Sequence, residues 1–181
     1  MQIYMTDNEL RLRAPEPEDL EVMYEMENNP TVWEVSCTTV PYSRFMLRQY
    51  LEQATGDIFT DKQVRLMVER TTDGQVVGCV DLTNYEPLHG RAEIGMAIST
   101  AHQGQGIGRR ALRMLCAYAS GRLHLHQLVA YIPADNEACL QMFRREGFTR
   151  QLPLTDWLAT ADGTYKDAVL VQCLLDRENV Q

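Results

Sequence analysis

Gln103-Gly104-Gln105-Gly106-Ile107-Gly108-Arg109-Arg110 places three glycines in eight residues, between a run that alternates like a strand up to Ile98 and a run with helical spacing from Ile107 to Ser120. Glycine lets a backbone turn sharply and come close to a ligand, so that successive amide N–H groups can converge on one anion. A helix starting at Ile107 adds the positive end of its dipole. The stretch reads as a phosphate cradle.

Two familiar cradles do not fit. A dinucleotide fingerprint counted from Gly104 needs a third glycine where Arg109 stands and an acid about 20 residues on, where Leu128 stands. A nucleoside-triphosphate loop ends in Gly-Lys-Ser/Thr, and Gly108-Arg109-Arg110 does not. A loop that merely starts a helix is the plain alternative.

Gln103-x-x-Gly106-x-Gly108 resembles the Gln/Arg-x-x-Gly-x-Gly/Ala pyrophosphate motif of the GNAT superfamily of N-acetyltransferases. The likeness extends along the chain. Leu10 to Ala14 followed by Glu18-Asp19-Leu20 looks like the opening of the subgroup that holds spermidine and ribosomal-protein N-terminal acetyltransferases. Asn136-x-x-Cys139 through Phe143-x-x-x-Gly147-Phe148 resembles that subgroup's Asn-x-x-Ala and Tyr-x-x-x-Gly-Phe, with two substitutions.

The residues outside the cradle give an alternating α/β order. Helices are expected over Glu16–Asn28, Ser43–Gln53 and Asn136–Arg145. Strands Val64–Glu69 and Gln75–Asn84 flank Asp73-Gly74, a hairpin turn signal. Arg91–Ser99 is a strand with Ala92, Ile94, Met96 and Ile98 on one face and Glu93, Gly95 and Ala97 on the other. Leu125–Ile132 is another, and Asp162-Gly163 marks a turn before a last strand, Lys166–Leu175. The resemblance sharpens this to a GNAT-like mixed central sheet of about seven strands with helices on both faces, its fourth and fifth strands splayed around the coenzyme.

Composition sets bounds. A chain of 181 residues, 45% hydrophobic, can bury one core, and no Pro/Gly/Ser-rich linker divides it, so residues 1–181 read as a single domain. The 25 acids against 17 bases argue against nucleic acid and favour a cationic partner. No apolar run approaches the 18 or more residues that span a bilayer, and the N-terminus lacks signal-peptide features. Cys37, Cys79, Cys116, Cys139 and Cys173 are odd in number and widely spaced, against a disulfide framework or a zinc site. His124 and His126 sit on one strand face without further ligands, so no metal is expected. The reading is a cytoplasmic protein with no membrane partner; a homodimer stays open.

The resemblance implies acetyl-CoA as co-substrate and direct transfer to an amine. It implies coenzyme contacts from Ala97, Ile98 and Ser99 along the strand, from Gln103, Gly104, Gln105, Gly106, Ile107, Gly108 and Arg109 in the cradle, and from Asn136 and Phe143. Asn136 is equally a good helix N-cap. Arg109, Arg110 and Arg113 could supply positive charge for the polyanionic coenzyme. A backbone N–H near Ile98 would polarise the thioester carbonyl. Glu93 is the first candidate for the base, acting directly or through water, with an amine-positioning role as the alternative; Glu34, Tyr85 and Asp81 are lesser candidates near the substrate. Phe143 stands where the subgroup has a tyrosine that protonates the leaving thiolate. It is expected beside the thioester sulfur, with Tyr131 or Tyr165 as alternative acids.

Two departures bear on substrate. The acidic pair that spermidine acetyltransferases carry before Pro-Tyr is replaced here by Cys37-Thr38-Thr39-Val40 ahead of Pro41-Tyr42. A small amine, an aminoglycoside-like compound or a protein N-terminus therefore stands as the expected acceptor. A coenzyme-binding module without catalysis is the alternative of a different class.

Overall fold

The computed structural model describes residues 5–33, 40–160 and 162–175. Seven strands form one sheet: β1 (Leu10–Arg13), β2 (Val64–Arg70), β3 (Val76–Glu86), β4 (Arg91–Ile98), β5 (Gln127–Pro133), β6 (Arg150–Ala159) and β7 (Tyr165–Leu174). Their spatial order is β1-β2-β3-β4-β5-β7-β6. All neighbours are antiparallel except β4 and β5. The expected β2–β3 hairpin forms, with Gly74 at a φ of 71° in its turn.

Among the described residues six α-helices accompany the sheet: α1 (Leu20–Glu27), α2 (Pro30–Trp33), α3 (Arg44–Gln53), α4 (Ile58–Asp61), α5 (Ile107–Gly121) and α6 (Glu137–Arg145). The helix expected from Glu16 opens instead as a 3-10 turn over Pro17–Asp19, where Asp19 accepts the Glu16 N–H at 2.8 Å and is clamped by Arg13. The final turn of the sheet carries Gly163 at a φ of 82°. His124 and His126 fall before β5, not on it; His124 is left-handed at 54° and His126 donates its N–H to the Gly90 carbonyl.

Helices cover both faces, as the periodicities require. On α5 the apolar positions Ile107, Ala111, Leu112, Met114, Leu115 and Ala119 are buried in the main core, with Leu82, Ala92, Ile94 and Leu128 of the sheet. On the opposite face Met23 of α1 and Leu47 of α3 bury a second cluster against Met67 and Cys79 of the sheet, with Ala97 packed against it. Each such fully buried Leu or Met contributes roughly 1.5–3 kcal/mol of transfer free energy. The two clusters fix which side of β4 each of its residues serves.

The functional consequence lies between β4 and β5. They pair only over Arg91↔Gln127, Ala92↔Leu128 and Glu93↔Val129. Yet β4 remains paired with β3 up to Ile98, and β5 with β7 up to Pro133. Beyond Glu93 the two strands part, which is the expected splay.

Candidate active site

The chain enters the site at the end of β4. Ser99 donates its N–H to the Val77 carbonyl at 2.9 Å, so on this edge of the antiparallel ladder the odd residues point their backbone groups at β3. The N–H groups of Met96 and Ile98 therefore turn the other way, toward the gap where β5 has left. The Ile98 carbonyl is taken by the Gln103 side chain at 3.0 Å. The motif's glutamine thus ties the strand end to the glycine loop.

That loop delivers the start of α5. Gly104 and Gly106 have φ of 75° and 77°, left-handed values that disfavour a side chain, and a Cβ on either would meet nothing within 4 Å. Gly106 is the N-cap of α5 and makes no side-chain cap bond. Arg110 is the first helical residue to bond back, to the Gly106 carbonyl at 3.1 Å. Among the described residues the amides of Ile107, Gly108 and Arg109 have no acceptor, at the positive end of a 15-residue helix. Gly108 serves a different purpose: a Cβ there would sit 3.3 Å from Met142 Sδ and 3.6 Å from Ile98 Cγ1, so its absence lets α5 approach β4 and α6.

A cleft of about 510 Å³ opens on these amides. It is lined by Met96 and Ile98 from β4, by His102, Gln103, Gly104, Gly106, Ile107, Gly108 and Arg109 from the loop and α5, and by Asn136, Ala138, Cys139, Gln141, Met142 and Arg145 from α6. Eight expected coenzyme residues come together here: Ile98, Gln103, Gly104, Gly106, Ile107, Gly108, Arg109 and Asn136. Asn136 Oδ1 also accepts the Cys139 N–H at 3.1 Å, so it does cap its helix. Burial pushes the Cys139 thiol up to about 11, which keeps it protonated near neutral pH.

Four expected contacts are not in the cleft lining. Ser99 has its N–H spent on Val77, and its hydroxyl is hydrogen-bonded to His102 Nδ1 at 2.7 Å. Ala97 packs on the second core cluster, on the far face of β4. Gln105 donates its side-chain amide back to the Ala101 carbonyl at 3.2 Å. Phe143 is only 3% exposed and meets Phe148 edge-on at 4.9 Å, because a ring without a hydroxyl follows the apolar face of α6 into the core. Of the three arginines, Arg110 is bound to Asp7 and Glu9, away from the cleft, and Arg109 and Arg113 share Glu146. Sequence reasoning did not select Met96, His102, Ala138, Gln141, Met142 and Arg145. Ala138, Gln141, Met142 and Arg145 recur at helical spacing beside Asn136, so the polar flank of α6 carried that signal.

Glu93 stands elsewhere, at the last β4–β5 pair before the strands part. Gly95 is opposite Asp81 and Ala97 belongs to the second cluster, so the face of β4 bearing Glu93 is opposite to the face that lines the cleft. The first candidate for the base therefore does not share the cleft that opens on the glycine loop. Glu93 lines a hollow of about 620 Å³ with Lys62, Asn84, Tyr85, Glu86, Arg91, Gln172 and Tyr131 among its walls. Tyr85 is 8% exposed under Phe59, and Tyr131 is stacked on Trp157 at 5.5 Å. Tyr165 is 62% exposed near the sheet's far edge, and Asp81 is engaged by Arg65 at 2.8 Å. Glu34 lies outside the described residues.

A glycine-led helix without a side-chain cap thus stands beside a parallel strand pair that parts. The acetyltransferase (GNAT) domain profile matches residues 9–149, and the chain belongs to that family; it is an acetyltransferase. It is 28% identical over 160 residues to spermidine N(1)-acetyltransferase of Escherichia coli K12, covering 88% of this chain and 83% of that one. Ribosomal-protein-serine acetyltransferase of the same bacterium is 33% identical over 76 residues, covering 42% of each. The fold superposes on spermidine N-acetyltransferase from Vibrio cholerae in complex with CoA and spermine, with a TM-score of 0.82 at 24% identity over 93% of this chain and 97% of that one. Among the described residues no group of three His, Cys, Asp or Glu side chains is placed to hold a metal, and no helix is long and apolar enough to cross a membrane.

Proposed function

We propose that residues 1–181 form one cytoplasmic N-acetyltransferase domain that carries an acetyl group from acetyl-CoA to a primary amine by direct attack. The observation that carries this is the unbonded start of α5 opening on the same cleft as the outward N–H groups of Met96 and Ile98. The cleft suits a pyrophosphate at one end and an extended acyl arm along β4. Arg109 and Arg145 add cationic side chains in a protein of net charge −8. A structure related in fold is described in complex with CoA, which supports the same assignment.

In this reading the N–H of Ile98, and after it that of Met96, pair with the arm as it runs back from the cradle. The thioester end lies farther from the phosphates, so Met96 joins Ile98 as a carbonyl-polarising donor as charge builds on oxygen. The acceptor comes from the hollow on the other face and meets the thioester through the gap. A lysine-like amine is almost wholly protonated at pH 7, so a base is required. Glu93 is that base. Roughly 10 Å of strand separates it from Met96, whereas a direct base acts within about 3 Å, so Glu93 works through a chain of waters. The departing thiolate, with a reference pKa of about 8.5, leaves without a tyrosine at position 143. Cys139 stays a thiol and takes no acetyl group.

Lys62 and Arg91 offset Glu86 and Glu93 around the hollow, which among the described residues offers no run of carboxylates to a polycation. The acceptor is accordingly a molecule with one reacting amine, a small compound or a protein N-terminus, although the 28% identical relatives named for spermidine put polyamines on the test panel. Thiol release from acetyl-CoA is measured with monoamines, aminoglycosides, polyamines and peptide N-termini. Turnover of at least one amine is expected. Tight coenzyme binding with none turned over identifies a silent coenzyme-binding module instead. With the active acceptor, Glu93→Gln should slow the rate by roughly 10- to 1000-fold and leave coenzyme affinity intact. An unchanged rate across pH removes Glu93 from the mechanism.

A further inference from the structure

The ladder between β3 and β4 is irregular at one place. Thr83 stands opposite Glu93 and Glu86 opposite Arg91, so β3 holds one extra residue between them. In an unbroken ladder Asn84 would face Ala92 and share its buried side of the sheet. Instead Asn84 takes a φ of 49°, and its Nδ2 donates to Glu93 Oε2 at 2.9 Å. Bulges re-aim side chains at the cost of a ladder position, and a left-handed backbone is uncommon away from glycine. The bulge is anchored from the far side, where the Tyr85 N–H donates to the carbonyl of Lys62, itself left-handed at 58°.

Among the described residues Glu93 Oε1 takes no hydrogen bond, while Oε2 has only the Asn84 amide. One carboxylate oxygen is held and the other is left without a protein hydrogen bond, in a residue that lines the hollow. We infer that Asn84 is a positioning residue for acetyl transfer: the bulge exists to present its amide to Glu93, fixing the carboxylate so that Oε1 receives the proton. This rests on Glu93 being the base. An amide is suited to the task because its N–H₂ binds carboxylate without carrying charge, so Glu93 stays able to give its proton up again.

The test separates the side chain from the backbone that carries it. Asn84→Gly keeps the left-handed conformation at no steric cost and removes only the amide. With acetyl-CoA and the acceptor found active in the panel, kcat should fall roughly 3- to 30-fold, the range of a directly coupled pair, with coenzyme Kd unchanged. On a Glu93→Gln background the same change should do nothing further. Asn84→Asp places a like charge against Glu93, which favours its protonated form, so the acidic limb of the kcat profile should move to higher pH. Wild-type kcat and pH profile in Asn84→Gly, beside an impaired Glu93→Gln, overturn the positioning role while sparing the base. An equal loss from Asn84→Gly with and without Glu93 makes the bulge purely structural. A Glu93→Gln enzyme with wild-type turnover overturns both assignments together.

Discussion

Helices α5 and α6 both turn their N-termini into one cleft, and they begin in opposite ways. Asn136 closes α6 with its own side chain, accepting the Cys139 N–H at 3.1 Å, whereas α5 begins at Gly106 with no side chain to offer. A capped start has one fewer hydrogen bond to gain from a ligand, and an uncapped one beside a cleft keeps its donors for it. The difference also separates two kinds of residue choice. Asparagine at 136 improves the helix; glycine at 106 leaves it poorer, and the longer, well-buried α5 tolerates this because Ile107, Ala111, Leu112 and Leu115 hold it to the sheet.

The most severe way to erase the difference is to cap α5. In Gly106→Asp a carboxylate satisfies the free amides from within and repels phosphate, so acetyl-CoA affinity should fall by more than about 100-fold, the scale of losing charge-assisted bonds worth roughly 1.5–3 kcal/mol each. Stability should change by only about 1 kcal/mol, since the gained cap offsets the strain of a side chain at a φ of 77°. Calorimetric titration and thermal unfolding read the two quantities separately. Unaltered affinity in the folded variant would take the phosphates away from α5.

Changing α6 should do less and divide differently. Asn136→Ala removes a cap and should cost about 0.5–2 kcal/mol of stability. Asn136→Asp keeps the cap but brings a charge into the cleft, so it should hold stability and weaken coenzyme binding by roughly tenfold. If both variants bind the coenzyme like wild type, Asn136 is a cap alone.

The contrast explains what could be read from the residues beforehand. The glycine loop is legible because Gly104 and Gly106 take left-handed backbone conformations that few other residues can and Gly108 admits close packing, and the α/β order follows from periodicities of 2 and 3.6. The splay is legible only through the family resemblance: Leu125–Ile132 by itself reads as an ordinary strand, and the three-residue pairing of β5 with β4 creates the gap. The burial of Phe143 is not legible in its motif, because a motif position specifies where Cα lies, while a ring without a hydroxyl obeys packing. Arg110 was misassigned because adjacent residues on a helix point about 100° apart, and Asp7 and Glu9 waiting on the N-terminal side cannot be seen from local sequence. The Asn84 bulge leaves no mark in a strand otherwise regular in pattern.

The smallest expected effect concerns charge held near the uncapped start. Glu146, at the C-terminal end of α6, binds both Arg109 and Arg113 of α5. Its burial would raise its pKa, but the hydrogen bonds from Arg113 and Arg109 prevail and hold it below the ordinary glutamate value. If the cleft holds the coenzyme as proposed, the carboxylate competes with that polyanion for Arg109, which lines the cleft. Glu146→Gln should release that arginine and tighten acetyl-CoA binding by roughly 2- to 5-fold at low salt, an ion pair whose arginine end is exposed being worth about 0.2–1 kcal/mol. It should also cost stability of the same order. Because the folded pKa is depressed, the ion pair's contribution is complete above the unfolded glutamate pKa and disappears as pH falls through the folded one. The stability gap between wild type and Glu146→Gln should therefore be widest near neutral pH and close in acid, and 0.5 M salt should shrink both the gap and the affinity gain. A variant that binds coenzyme more weakly would mean that Glu146 orients Arg109 for the phosphates instead of withholding it.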